Sequence, residues 1–346
     1  MSELLSELLA ERPCLLADGA TGTNLFAMGL KTGEAPELWN RVFPDRVASS
    51  YRRFIDAGSD IILSNSFGGN HYRLKLHQSE GDVAELNELA VSIAREEIAK
   101  TDRTVLVAGC IGPTGEILAP LGEVSLEEAR DAFAEQAHAL ARGGADLLWI
   151  ETISSLEEMQ AALDGAAQTG LPIVSTMSFD TNGRSMMGVT PADLARYVQD
   201  APEAPTAFGA NCGVGPSELV VTVANMAAAA PEGAVIVAKG NCGIPEWVDG
   251  AIKYDGTPEL MAAYARMAVD AGARIIGGCC GTTPEHVAVM SESLKGYLPG
   301  SSPTLEEIVQ TLGEVSTGAM AQHRGDDSLL AGSASGAAPR KRRRTR

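Results

Sequence analysis

Eight short apolar runs, each followed by a stretch of helical character, recur along the first 280 residues of this 346-residue chain. Strands that are apolar on both faces are typical of parallel sheets covered by helices. Eight such β-then-α units within roughly 250 to 300 residues match a (β/α)8 barrel. The sequence therefore predicts a single α/β domain, a TIM barrel, over residues 1–300. The eight runs are residues 14–19, 60–66, 104–110, 147–152, 172–179, 207–212, 235–241 and 273–280.

The helices between these runs have recognisable ends. Pro44-Asp45 and Thr283-Pro284 are typical helix starts, Ser125-Leu-Glu-Glu is a capping box, and Gly143-Gly144 is a typical stop. A doubly wound open sheet is the alternative fold, but it gathers its binding groups at one switch point. Polar or reactive residues follow several of the runs here, and this spread favours the barrel.

The distribution of charge disfavours nucleic acid as a main partner. The chain carries a formal charge of −18, of which the last seven residues contribute six positive charges and residues 301–339 a net −4, so residues 1–300 carry −20. A body that acidic repels phosphate backbones. We therefore expect no nucleic-acid binding by the barrel, and at most a contact by the basic end.

The ends of the chain and the cysteine content indicate a cytoplasmic protein. Six cysteines in 346 residues are too few for a disulfide framework, and the first residues are acidic where a signal peptide is basic. Every apolar run is shorter than the roughly 20 residues that cross a bilayer. We expect no membrane span.

Residues 301–346 differ in composition from the barrel and are expected to form a C-terminal extension. Leu305, Ile308, Val309 and Leu312 give one amphipathic patch that can dock on the barrel or on a partner. The sequence that follows is rich in Gly, Ser and Ala, which bury little apolar surface. We expect most of the extension to be disordered, from about residue 316 onward.

Three cysteines at the ends of runs six and eight indicate a metal site. Cys279 and Cys280 close the last run, and Cys212 closes the sixth, so all three fall where TIM-barrel active sites lie. Adjacent strand residues point to opposite faces, but the flanking glycines allow the backbone to bring both thiols to one centre. Three thiolates suit a catalytic Zn²⁺ with one open position. Buried structural thiols or a redox pair are the alternative, but a redox pair leaves Cys212 unexplained.

The other cysteines do not have an assigned role from spacing alone. Cys242 lies in an Asn-Cys-Gly segment like that of Cys212, so the sequence does not decide which of the two joins the pair. Cys110 also closes a run, and the sequence does not decide its role either, with packing as the simpler interpretation. Cys14 begins the first run, at the opposite end of the barrel, and is expected to be a core residue.

Four segments together resemble the signature segments of the homocysteine S-methyltransferases. The segments are Asp18–Thr23, Glu151-Thr152, Gly209–Pro216 and Gly277–Thr282. The family includes betaine–homocysteine methyltransferase and the homocysteine-binding module of cobalamin-dependent methionine synthase. The resemblance spans residues 12 to 296, and it implies zinc on Cys212, Cys279 and Cys280, with the homocysteine thiol activated in the open position.

The resemblance also suggests how the amino-acid end of homocysteine is bound. Asp18 and Glu151 can accept its ammonium group, and the backbone of Gly19, Ala20 and Thr21 can hold its carboxylate. A turn cap is the alternative role for Asp18, and a rim ion pair for Glu151. Asn65 either orients the substrate or shapes a turn.

The methyl donor is the least determined part of the prediction. Betaine, which would leave as dimethylglycine, is the leading donor, and an aromatic cage of Trp39, Phe67 and Tyr72 would favour its quaternary ammonium. The alternatives are S-methylmethionine, or methylcobalamin on a corrinoid protein partner. A non-enzymatic zinc-binding interaction protein is a remote alternative, and the sequence leaves a homo-oligomer open.

Overall fold

Eight parallel strands form one continuous ladder in the computed structural model, which describes residues 3–248 and 251–326. Their order is β1-β10-β7-β6-β5-β4-β3-β2, and a parallel bridge between Ala17 and Ile61 brings the two end strands together. The TIM-barrel prediction is confirmed. The strands of the described residues are β1 (Leu15–Leu16), β2 (Ile61–Leu63), β3 (Leu106–Ile111), β4 (Leu147–Ile153), β5 (Ile173–Met177), β6 (Ala207–Cys212), β7 (Ile236–Gly240), β8 (Pro245–Val248), β9 (Ala251–Tyr254) and β10 (Ala273–Gly278).

Helices connect successive barrel strands and cover their outer faces. Short 3-10 helices at Pro36–Leu38 and Glu80–Asp82 interrupt the longer connections. The α-helices of the described residues are α1 (Glu3–Glu11), α2 (Thr21–Ala27), α3 (Trp39–Val42), α4 (Pro44–Asp56), α5 (His71–Lys75), α6 (Val83–Ile98), α7 (Leu126–Gly143), α8 (Leu156–Ala167), α9 (Pro191–Asp200), α10 (Pro216–Ala229), α11 (Pro258–Asp270), α12 (Pro284–Leu294), α13 (Leu305–Leu312) and α14 (Thr317–Arg324).

The predicted helix ends are confirmed in detail. Helix α4 begins at Pro44, and the Glu128 backbone N–H at the start of α7 donates to Ser125 Oγ at 3.2 Å, as in a capping box. Gly144 ends α7 with φ of 98°, a left-handed conformation that favours glycine. Local signals thus fix where these helices begin and end.

The interior of the barrel is apolar at the end where the strands begin. Leu5, Leu8 and Leu9 of α1 are buried in one cluster with Leu15, Ile61 and other inward-facing strand residues. A larger cluster lies between the strands and the surrounding helices. Because α1 covers the amino-terminal end of the strands, the functional groups lie at the opposite, carboxyl end.

The C-terminal extension packs on the barrel. Ile308 and Leu312 of α13 are buried, which confirms docking of the predicted amphipathic patch on the protein's own surface. The expectation of disorder from about residue 316 is wrong for residues 317–324, because Ser316 caps α14 and its backbone N–H donates to Glu218 Oε2 at 2.8 Å. Residues 327–346 lie outside the described residues.

Within residues 3–248 and 251–326, the structure contains no helix whose length and apolar content would let it cross a membrane.

Candidate metal and substrate site

Three thiols meet at the carboxyl end of the barrel, as predicted. Cys212 Sγ lies 3.1 Å from Cys279 Sγ and 3.8 Å from Cys280 Sγ, and all three sulfur atoms lie within 4.8 Å of one another. Cys212 has φ of 58° and the following Gly213 φ of 76°, so the backbone leaves the extended conformation at the end of β6. The local departure from strand geometry brings Cys212 to the adjacent pair.

The proton distribution in this cluster suits a cation. Hydrogen bonds from Cys212 and Cys279 lower the pKa of Cys280 to about 3, whereas hydrogen bonds with Cys279 and Cys280 raise the pKa of Cys212. Negative charge is therefore held on sulfur in the cluster. A set of three thiol ligands on one side, with space on the other, fits a metal ion that prefers sulfur.

The cluster lies in a cavity of about 690 Å³ that most of the predicted site residues share. The cavity brings together the thiols and the groups predicted to bind the ammonium and the carboxylate of an amino acid. One small ligand can therefore contact the thiols and these groups at the same time. Predicted residues that line it are Gly19, Ala20, Thr21, Asn65, Phe67, Glu151, Cys212, Cys279 and Cys280.

A buried lysine forms an ion pair with one of the two predicted carboxylates. Lys239 Nζ lies 3.3 Å from Asp18 Oδ1 and donates to the Gly19 carbonyl at 3.2 Å. Asp18 Oδ2 accepts from the Leu63 backbone N–H at 2.8 Å. Asp18 is therefore held by the protein itself, a contact that the sequence analysis did not anticipate. A lysine within the apolar run 235–241 was the signal that could have indicated it.

Both carboxylates have a buried oxygen without a hydrogen-bond partner among the described residues, and in Asp18 that oxygen lies in the ion pair with Lys239. Glu151 Oε1 accepts from the Cys110 thiol at 3.3 Å, while its buried Oε2 has no hydrogen-bond partner within the described residues. Burial raises the pKa of Glu151, and Lys239 opposes that shift. A buried acceptor without a partner is costly unless a ligand supplies a donor.

The formal charges of Asp18, Glu151 and Lys239 cancel to within one unit. Burial raises the pKa of Asp18 to about 6 in spite of Lys239. Burial alone would lower the pKa of Lys239, but Asp18 and Glu151 raise it above its ordinary value. At neutral pH, Lys239 and Asp18 are both charged, and an ionised Glu151 would give these three side chains one net negative charge.

The turn after β1 is held tightly against the segment after β10. A Cβ atom on Gly19 would lie 2.6 Å from the Thr282 carbonyl oxygen, so only glycine fits there. The Ala20 N–H donates to that same carbonyl at 3.1 Å and is occupied. Thr21 begins α2, and the first N–H groups of a helix lack intrahelical partners. The start of α2, rather than Ala20, offers donors to a carboxylate.

The remaining predicted contacts differ from expectation. Asn65 lines the cavity, but its side chain donates to the Pro36 carbonyl at 2.8 Å and to Asn40 Oδ1 at 2.9 Å, so it shapes the loop. Trp39 and Tyr72 do not line the cavity. The buried Trp39 ring packs 4.9 Å from the Arg46 guanidinium instead, so the predicted cage of three rings is not formed.

The structure separates the other cysteines from the cluster. The Cys242 thiol donates to the Gly256 carbonyl at 3.2 Å, and the group of mutually close ligand atoms contains Cys212 instead. Cys14 is half-buried against the outer core, at the end of the barrel away from the cavity. Cys110 is the fourth thiol of the cavity, through its contact with Glu151.

Comparison with known proteins gives a consistent picture. A family model described as homocysteine S-methyltransferase matches residues 15–294. Methionine synthases of Mycobacterium leprae and Mycobacterium tuberculosis are each 29% identical to this chain over 88% and 82% of its length. The chain spans only about a quarter of those relatives, 26% and 25%.

A solved structure supports the fold independently. The homocysteine methyltransferase MmuM from Escherichia coli, in a metallated form, superposes with a TM-score of 0.69 at 24% sequence identity. The superposition covers 83% of this chain and 99% of MmuM. The barrel is therefore a known architecture.

Proposed function

The chain belongs to the homocysteine S-methyltransferase family, and from that premise we propose that it methylates the sulfur of homocysteine to form methionine, with Zn²⁺ on Cys212, Cys279 and Cys280. The observation that carries the proposal is the thiol cluster in one cavity with the unpartnered Glu151 oxygen. When bound, Zn²⁺ would lower the pKa of a substrate thiol so that it reacts as a thiolate at neutral pH.

The protein's own groups would orient the amino-acid end of homocysteine. Glu151 Oε2 is buried and lacks a partner, so the substrate ammonium would satisfy it. Asp18 is held by Lys239 and Leu63, so it would contribute to the negative potential around the substrate ammonium rather than bind the ammonium alone. The N–H groups at the start of α2 would hold the carboxylate. Two fixed ends would place the sulfur at the thiol cluster.

The cavity supports a small cationic methyl donor. Phe26, Phe67 and Tyr254 present aromatic rings, and Glu34 and Glu37 present carboxyl groups. Rings and acidic groups together favour onium cations. With betaine, the C–N bond of a methyl group breaks, its electron pair stays on nitrogen, and an S–CH₃ bond forms as dimethylglycine leaves. The same cavity would accept the sulfonium of S-methylmethionine.

The test is methionine formation by the purified, zinc-loaded protein with homocysteine and either betaine or S-methylmethionine. We expect turnover with at least one of the two donors. The matched control is Cys242→Ala, which removes a buried thiol outside the cluster. Turnover should be lost in Cys280→Ala and kept in Cys242→Ala. An active, metal-free Cys280→Ala protein would contradict the proposal.

A second candidate is that the chain receives its methyl group from a corrinoid protein. Two observations favour it: the relatives are methionine synthases about four times as long, and apolar side chains are exposed on several loops that follow barrel strands. These exposed residues are Ile117, Leu121, Met186, Met187 and Ile244. Turnover with methylcobalamin on a corrinoid protein, and none with the small donors, would favour this candidate.

A further inference from the structure

A single buried amide connects the strand that carries Glu151 with the strand that carries Cys212. Asn211 lies next to Cys212 at the end of β6 and is fully buried. Its Oδ1 accepts from the Thr152 backbone N–H at 2.9 Å and from Thr176 Oγ1 at 2.7 Å. Its Nδ2 donates to Thr152 Oγ1 at 2.7 Å. The backbone N–H and the hydroxyl of Thr152 are therefore both hydrogen-bonded to one side chain.

Thr152 needs such support because its backbone conformation is unfavourable. It has φ of 67°, a value that is rare for a β-branched residue. The pairing of β4 with β5 also shifts register between Ile150 and Ile153, so Glu151 and Thr152 lie in a local irregularity. Residues in such conformations persist only where the surroundings over-determine them, and they concentrate at functional sites.

The irregularity affects Glu151 directly. Successive residues of a regular strand point to opposite faces, so the backbone angles of Thr152 and its neighbours fix where the Glu151 carboxylate lies. Asn211 holds those angles, while its own backbone is bonded into the strand that ends in Cys212. One amide thus sets the position of the carboxylate relative to the thiol cluster.

We propose that Asn211 is a positioning residue for amino-group recognition: through its two hydrogen bonds to Thr152, it fixes Glu151 at the distance from the thiols that homocysteine spans. This inference rests on the proposed function. It assigns to Asn211 a role in substrate selectivity: no ligand atom of the cluster belongs to it, but its Nδ2 also lies 4.0 Å from Cys279 Sγ, so the zinc content of every variant is measured alongside.

The test compares homocysteine with 4-mercaptobutyrate, which has the same thiol and carboxylate but no amino group. The dissociation constants of both ligands are measured by calorimetry on zinc-loaded full-length protein. The dissociation constant of 4-mercaptobutyrate divided by that of homocysteine reports amino-group recognition, and it is the ratio used below. Asn211→Ala should lower the ratio about tenfold. Thr152→Val, which loses only the bond to Asn211 Nδ2, should lower it about threefold and keeps the fold testable if Asn211→Ala is unstable.

Rescue distinguishes positioning from general damage. Glycine adopts positive φ without strain, so adding Thr152→Gly to Asn211→Ala should restore most of the ratio. The matched control is Thr176→Val, which contacts the same amide oxygen but not Thr152, and should leave the ratio unchanged. An unchanged ratio in Asn211→Ala and Thr152→Val, or a loss without rescue by Thr152→Gly, would overturn the inference. A wild-type ratio near one would instead refute the proposed function.

Discussion

Lys239→Met tests the charge arrangement of the cavity more directly than any other single change. The lysine is fully buried and its ammonium lies 3.3 Å from Asp18 Oδ1. Removing one partner of a buried ion pair costs about 3–5 kcal/mol, because the other charge stays in a poorly solvated place. Methionine has a similar length without the charge. The free energy of unfolding should therefore fall by about that amount while Asp18 remains ionised.

The loss should depend on pH in a defined direction. Burial already raises the pKa of Asp18 to about 6, and removing Lys239 takes away a nearby positive charge, so the pKa of Asp18 rises further. A carboxyl group with a folded pKa above its unfolded value of about 3.9 contributes stability that is fully present below the unfolded pKa and is lost as pH rises through the folded one.

The magnitude follows from this linkage. Each pH unit over which the folded protein holds the Asp18 proton and the unfolded chain does not lowers the free energy of unfolding by about 1.4 kcal/mol. Between about pH 6 and about pH 8, the variant should lose up to about 2.7 kcal/mol on that basis. The wild type begins this interval with the proton of Asp18 half released and should lose only about 0.4 kcal/mol through this group.

The measurement is urea unfolding of both proteins at the two pH values, with fixed zinc content. Lys295→Met is the matched control, because Lys295 forms an exposed ion pair with Glu292 and should change stability by less than about 1 kcal/mol. A Lys239→Met protein that loses less than about 1 kcal/mol, or that follows the wild-type pH dependence, would refute the assignment of Lys239 as the counter-ion of Asp18.

Three further outcomes are expected. Cys280→Ala should abolish zinc retention, measured by metal analysis after dialysis, because two thiols remain of a three-thiol set. Glu151→Ala should weaken homocysteine binding in calorimetry by about 2–5 kcal/mol, and normal affinity would refute its role. Glu218→Ala removes the acceptor of the Ser316 N–H, so the unfolding free energy should fall by about 1–3 kcal/mol; an unchanged value would show that the contact between Glu218 and Ser316 contributes nothing.

The fold was predictable because strands that are buried on both faces have near-continuous apolar sequences. Residues 207–210 are apolar throughout, and the helix that follows this run, α10, begins at a local signal, Pro216. The thiol cluster was predictable for a related reason: cysteines at the ends of strands lie at one end of a parallel barrel whatever the loops do. Both inferences depend on position along a strand alone.

The contacts among side chains were not predictable in the same way. The sequence shows a lysine within an apolar run but does not show its partner, because Lys239 and Asp18 lie 221 residues apart and meet only when β10 lies between β1 and β7. Helix α14 was missed because its packing uses small residues, such as Gly318 and Ala319, that lack the apolar pattern of a docked helix. The Trp39 prediction failed because loop position does not reveal whether a ring faces a cavity or the core.

The arrangement of charges suggests why an amino acid, rather than a simple thiol, is the substrate that fits. Lys239 pairs with Asp18, one of two buried carboxylates, which leaves Glu151 Oε2 without a hydrogen-bond partner among the described residues. A simple thiol would leave that buried acceptor unsatisfied, and such a group costs about 1–3 kcal/mol or more when charged. A ligand with an ammonium group supplies the missing donor and brings this carboxylate–lysine group to neutrality. If both buried carboxylates lacked a lysine, one would take up a proton instead, and the discrimination would weaken. Under the proposed function, the lysine would contribute to selectivity by pairing with Asp18, which leaves the Glu151 oxygen for the substrate ammonium.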